Sequence, residues 1–170
     1  AGICQEIARY FAVKDREPAS ALYIGYGFAL IDIAVGVLSL ASILAVARMG
    51  LPIVPFKNQL QALLTIQYVG IAVQPLVSFL FHPGASMFLR AMQANGRGLR
   101  GLATTTIAHT YVDSFTLYLN YILYGLLTVT GRLITASLMV YFSTIISMSI
   151  ILFLIGLSRV RHLPAMPMIK

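Results

Sequence analysis

Charged residues are scarce in this chain: they make up 10% of its 170 residues, whereas an ordinary soluble domain carries roughly a quarter. Apolar side chains make up 59%. A globule of this length leaves about a third of its surface exposed, so the excess apolar surface faces something other than water, and lipid is the obvious candidate. The composition therefore excludes an ordinary soluble fold and predicts an integral membrane protein.

Cysteine and catalytic motifs are also nearly absent. The single cysteine, Cys4, excludes an internal disulfide and leaves no pair for a CxxC metal or redox site. No Walker loop and no nucleophile, base and acid triad of the soluble-enzyme kind is found, and we expect neither a cofactor nor a metal. These absences favour a non-catalytic protein. An intramembrane enzyme ranks third, behind a subunit of a membrane complex and a small transporter.

Long apolar runs separate the few charges. Four runs reach the roughly 20 residues that cross a hydrocarbon core as a helix, namely 22–47, 59–81, 102–128 and 133–157. Ahead of them, Ile3, Ile7, Tyr10 and Phe11 lie at helical spacing, which predicts a short amphipathic helix on the membrane surface. The predicted fold is an all-α membrane protein with an interfacial segment at 1–20 and a four-helix transmembrane domain at 21–170.

Basic residues predict the orientation of these spans. With four spans, the N-terminal segment, the 81–101 connection and the C-terminal tail share one side, which holds nine of the twelve Lys and Arg residues. This bias places both termini on the inner side of a bacterial or mitochondrial inner membrane. It also explains the net charge of +7 without a nucleic-acid partner. Five arginines on that side are expected to contact anionic phospholipid head groups or a partner subunit: Arg90, Arg97, Arg100, Arg159 and Arg161.

Residues 96–101 read GRGLRG and fit the dinucleotide pattern G-x-G-x-x-G. That fingerprint requires a preceding strand and an acidic residue about 20 positions further on. Here the preceding residues follow a helical pattern and an apolar run follows. We therefore predict no nucleotide at Gly96 to Gly101, and we assign these glycines to a loop.

Polar side chains recur at spacings of three and four along the third predicted span and so share one helix face. They are Thr106, His109, Asp113, Thr116 and Asn120. An aspartate at mid-membrane costs roughly 2.5 to 3.5 kcal/mol on insertion scales, so this face should meet protein or water. The first span has a matching stripe of small residues, which favours close helix approach: Gly25, Ala29, Asp32, Gly36 and Ser39.

The two stripes lie at matching depth. Asp32 and Asp113 are ten and eleven residues into spans that start on the same side, which places both about 15 Å down. We predict that Asp32, His109 and Asp113 approach one another, with Gln67 or Gln74 as hydrogen-bonding neighbours. His82 is followed by Pro83 and Gly84 at the end of the second span, so an interfacial position is expected for it.

Polar side chains that meet in this way can serve either of two functions. They can hold membrane spans together by hydrogen bonds, or they can handle protons or cations. The first hypothesis is a non-catalytic structural or assembly subunit of a multi-subunit membrane complex, respiratory or secretory, with other membrane subunits as partners. The alternative is a small oligomeric transporter or channel in which Asp32, His109 and Asp113 handle protons or cations.

Overall fold

The computed structural model of the protein describes residues 2–49, 67–125 and 131–163, with side chains described mainly over 2–38, 73–113 and 139–163. Within these ranges all regular secondary structure is helical, which confirms the predicted all-α class for the described residues. The helices are α1 (Gly2–Val13), α2 (Pro18–Arg48), α3 (Gln67–Ala94), α4 (Gly98–Gly125) and α5 (Gly131–Arg161).

The second predicted span ends in the wrong place. It was expected to stop at residue 81, yet α3 continues through Pro83 and Gly84 to Ala94; residues 59–66 lie outside the described part. A proline costs a helix one hydrogen bond, and neighbouring helices can compensate for this. Here Gly25 of α2 lies directly against Pro83, and the backbone of α5 at Phe153 lies against Gly84. Packing on both sides therefore keeps the helix continuous.

The central helix is α3, which contacts all four of the others. Residues 81–91 of this helix are buried without interruption. Its crossing with α5 is close because both helices carry glycine there: a Cβ on Gly156 would lie 2.6 Å from the carbonyl oxygen of Gly84. On the other side, the small-residue face of α2 packs on α3, with Ala29 fully buried and Gly36 beside Gln74.

The first helix runs antiparallel to the first half of α4. Gly2 lies beside His109 and Asp113, whereas Tyr10 lies beside Gly98. Its charged face is turned inward, and Glu6 is fully buried, while the apolar Phe11 on its outer face is 66% exposed. This is the reverse of an amphipathic helix packed on a water-soluble core. The location of α1 at a lipid surface stays a prediction.

Two helices are long and apolar enough to cross a membrane among the described residues, Pro18–Leu38 within α2 and Met139–Arg161 within α5. Only 17% and 28% of their most apolar windows are buried, so most of this apolar surface faces outward. These helices are compatible with a membrane location. The expectation of four transmembrane helices is not confirmed, because α3 and α4 do not meet the same test over the residues described.

Candidate functional site

A group of ionisable side chains lies where α1, α2, α3 and α4 meet, enclosed by helices that are otherwise mostly apolar. We call it the polar cluster and define it as Glu6, Arg9, Asp32, His82 and His109, with Asp113 at its edge. Its members come from four different helices. The cluster therefore exists only in the folded chain.

Arg9 is the centre of hydrogen bonding in the polar cluster, and its side chain is fully buried. Its Nη1 donates to the carbonyl oxygen of His82 at 2.7 Å and to Ser86 Oγ at 3.1 Å. Its Nη2 lies 3.1 Å from Glu6 Oε1 and also contacts His82 Nδ1. The guanidinium carbon lies 4.6 Å from the centre of the Phe28 ring. One side chain of α1 therefore binds both the backbone and the side chains of α3.

Arg9 also decides the tautomer of His82. Because a guanidinium only donates hydrogen bonds, the Nδ1 atom of His82 must accept one from it. The ring proton is then on Nε2, which donates to Asp32 Oδ2 at 2.6 Å. A second proton on His82 would face the N–H groups of Arg9 directly, so this histidine is held neutral.

His109 has a different environment, between two carboxylates. Its Nδ1 lies 2.8 Å from Glu6 Oε1, and its Nε2 lies 3.8 Å from Asp113 Oδ1. With Glu6 ionised, Nδ1 carries a proton and donates it to Glu6. The Nε2 atom then faces Asp113, so His109 links the buried Glu6 to the edge of the polar cluster.

Glu6 accepts a hydrogen bond from His109 and lies beside the guanidinium of Arg9, and both contacts favour its ionised form. An arginine keeps its proton in proteins. The pair is therefore ionised, in a setting where the net gain from an ion pair is small.

The two aspartates lie at the border of the polar cluster. Asp32 accepts hydrogen bonds from Gln5 Nε2 at 2.9 Å and from His82, yet its side chain is 29% exposed. The side chain of Asp113 is 41% exposed. Both acids therefore open from the buried cluster to the surface of the helical bundle.

Asp32, His82 and His109 present ligand atoms within 4.8 Å of one another, a spacing that could hold a metal ion. The hydrogen bonding does not suit one. A metal-bound histidine normally donates its second N–H to an acceptor, whereas Nδ1 of His82 accepts from Arg9. Metal at Nε2 would therefore require a doubly deprotonated ring beside a fixed cation, and protons suit the site better than divalent ions.

The structure brings together three of the residues that the sequence predicted to meet, Asp32, His109 and Asp113. Gln74 lies on α3 before His82, away from the polar cluster and next to Gly36, and Thr106 is half-buried on α4. Neither hydrogen-bonds to the polar cluster in the part of the chain described. The side chains of Gln67, Thr116 and Asn120 lie outside that part.

Sequence reasoning missed half of the polar cluster. His82 was expected at an interface, yet it is only 2% exposed, because α3 continues beyond Pro83 and places it mid-helix. Glu6 and Arg9 lie in the segment predicted to form an amphipathic surface helix, and the prediction gave them no place in a buried cluster. Their spacing of three residues does place them on one helix face, but only the docking of α1 shows that this face is buried.

The arginines expected to meet lipid or a partner fall into two groups. Arg90 is 5% exposed and donates to the carbonyl oxygen of Arg16 at 2.6 Å, which ties α3 to the connector between α1 and α2. Arg159 is exposed and lies over the Phe88 ring. The remaining three are exposed as well, namely Arg97, Arg100 and Arg161.

Residues 96–101 follow a helix and not a strand, since α3 ends at Ala94 and α4 begins at Gly98. The described residues thus define a class, an all-α chain with two helices able to span a membrane and a buried cluster of ionisable groups. No protein-family model, curated protein or solved structure matched this chain. Its function has to be argued from the cluster and its surroundings.

Proposed function

We propose that this chain is a non-catalytic integral membrane subunit of a multi-subunit membrane complex, with the polar cluster fastening α1 to the longer helices. The observation that carries the proposal is the partial exposure of Asp32 and Asp113 on an apolar surface. On α4, Ile107, six residues before Asp113, is 71% exposed, and on α2, Leu30 and Ile31 beside Asp32 are 57% and 60% exposed.

Contact with lipid would be unfavourable for an acidic side chain in such a surface. An aspartate near the bilayer centre costs roughly 2.5 to 3.5 kcal/mol on insertion scales. A polar group from a neighbouring subunit, donating to Asp32 or Asp113, would remove that cost, because polar side chains hydrogen-bond across membrane helices. We therefore place the partner interface over these two acids.

The proposed topology has four spans with both termini inside, and the packing of α1 adds a constraint to it. Because α1 runs antiparallel beside α4, with Gly2 next to His109, it extends about 17 Å along α4 from the level of Gly98. If α4 crosses the bilayer, α1 enters it too and does not lie flat on the surface. The outward Ile3, Ile7 and Phe11 then contact lipid.

The test is extraction of the full chain from its native membrane in a mild detergent, followed by native electrophoresis. We expect wild-type chain to migrate with larger partners, and Asp32→Asn together with Asp113→Asn to reduce that fraction severalfold. Thr104→Ala is the matched control, because this exposed hydroxyl bonds only within α4. Wild-type chain that migrates alone or as a homo-oligomer would overturn the proposal.

A second candidate, proton or cation handling, is favoured by the charges of the polar cluster. Three carboxylates, Glu6, Asp32 and Asp113, face one permanent cation, Arg9. Among the described residues Glu6 Oε2 has no hydrogen-bond partner, and Nε2 of His109 lies 3.8 Å from Asp113 Oδ1. The Asp113 to His109 to Glu6 series therefore offers a proton a path inward from the surface of the bundle.

Reconstitution tests this candidate separately. The purified chain in liposomes with an enclosed pH dye is expected to pass protons under an applied potential, and His109→Gln is expected to abolish the flux. His162→Gln is the control, because His162 is exposed beyond the end of α5. Equal flux in empty liposomes and in liposomes with wild-type chain would reject the second candidate and leave the first standing.

A further inference from the structure

An open cavity of about 630 Å³ lies at the end of the bundle where α1 finishes and α3 turns into α4. The polar cluster does not line it. Three basic side chains do, Lys14 from the end of α1 and Arg97 and Arg100 from the turn into α4, with Asp15 as the single acid. Among the described residues, no carboxylate lies within ion-pair distance of any of the three cations.

The cavity walls are built for close approach to the backbone of α4. A Cβ on Gly98 would lie 3.1 Å from the hydroxyl of Tyr10 and 3.1 Å from the side chain of Gln93, so glycine keeps this wall clear. Gln93 is itself fixed, since its Nε2 donates to the carbonyl oxygen of Tyr10 at 2.8 Å. The end of α1 and the α3–α4 turn thus form one rigid recess.

Two arginines occupy a helix end that disfavours cations. The first backbone hydrogen bond of α4 runs from the Gly101 N–H to the Arg97 carbonyl oxygen. This bond makes Arg97 the N-cap residue and places Arg100 in the first turn of the helix. No acidic residue lies in that turn. Helix N-termini favour anions and repel cations. Three cations against one acid, Asp15, leave the recess with two excess positive charges, which a bound anion would offset.

We infer that this recess binds the phosphate of an anionic phospholipid head group, held by Lys14, Arg97 and Arg100. A lipid and not a free phosphate is favoured because Leu99, which lines the cavity, is 75% exposed, and Phe11, whose ring contacts that of the lining residue Tyr10, is 66% exposed. Acyl chains would lie along these side chains. The inference depends on the membrane location in the proposed function but not on partner subunits.

Native mass spectrometry of the detergent-purified chain, titrated with phosphatidylglycerol or phosphatidylcholine, tests the inference. We expect preference for phosphatidylglycerol, and Arg97→Gln with Arg100→Gln should weaken its binding about twenty-five-fold, at about fivefold per basic residue. Arg48→Gln is the control for Arg97→Gln alone, because it removes the same charge from an exposed site at the far end of α2, and it should change binding less than twofold. Elution volume and helical circular dichroism show that each variant is folded.

Three results would overturn the inference. Equal weakening by Arg48→Gln and by Arg97→Gln would assign the effect to net charge. Equal binding of the two lipids would remove any role for the anionic head group. Displacement of phosphatidylglycerol by millimolar inorganic phosphate would identify a free-phosphate site. Because the assay contains no partner, loss of lipid selectivity with normal complex assembly, or the reverse, distinguishes this inference from the proposed function.

Discussion

Replacing Arg9 by methionine should release α1 from the bundle. The change keeps an unbranched apolar stem but removes hydrogen bonds to the His82 carbonyl and Ser86 and leaves the buried Glu6 without its cation. Removing one partner of a buried ion pair costs about 3 to 5 kcal/mol. A whole domain has only about 5 to 15 kcal/mol of stability, so the loss is large relative to what holds one short helix.

Hydrogen exchange of the backbone amides of residues 2–13 measures this release, because local opening of α1 exposes them before global unfolding does. A cost of about 3 to 5 kcal/mol corresponds to an increase of more than a hundredfold in the open fraction, at about 1.4 kcal/mol per factor of ten. Arg16→Met is the control, since the Arg16 side chain is exposed and only its carbonyl oxygen is used.

A second variant separates charge burial from packing. Glu6→Gln combined with Arg9→Met removes both charges, and the amide oxygen can still accept from His109. We expect this pair to recover about 2 kcal/mol relative to Arg9→Met alone, because no unpaired charge stays buried. Protection of α1 within a factor of ten of wild type in Arg9→Met would refute the reasoning, since the polar cluster would then not hold the helix.

Further predictions concern packing and topology. Gly25→Ala should lower the free energy of unfolding by about 1 to 3 kcal/mol by overpacking, because its Cβ would lie 2.7 Å from the His82 carbonyl oxygen. Gly27→Ala is the control, because its Cβ would meet nothing within 4 Å. Circular dichroism during titration with dodecyl sulfate compares the two variants, and equal unfolding midpoints would contradict the prediction. Impermeant maleimide should not label Cys4 from either face of sealed vesicles but should do so in detergent; labelling from the inner face would favour a surface helix.

Some features of the polar cluster followed from spacing alone, whereas others required knowledge of where a helix ends. Asp32 and Asp113 could be placed at one depth because rise per residue is constant along a helix. His82 could not, because Pro83 and Gly84 form a pair that ends many helices, and here α2 and α5 pack against that pair and hold α3 continuous. The error in one helix end moved one histidine from an interface to the interior.

The sequence by itself determined the all-helical class, the apolar surface and the approach of Asp32, His109 and Asp113, since these depend on composition and on the helical repeat. Only the tertiary structure decided that Glu6 and Arg9 are buried, that Arg9 fixes the tautomer of His82, and that Lys14 joins Arg97 and Arg100 around one cavity. The physical reason is that α1 has the same amphipathic pattern whether it lies on a membrane surface or packs on the bundle. The pattern predicts which residues share a face, and only docking against α3 and α4 determines which face is turned inward.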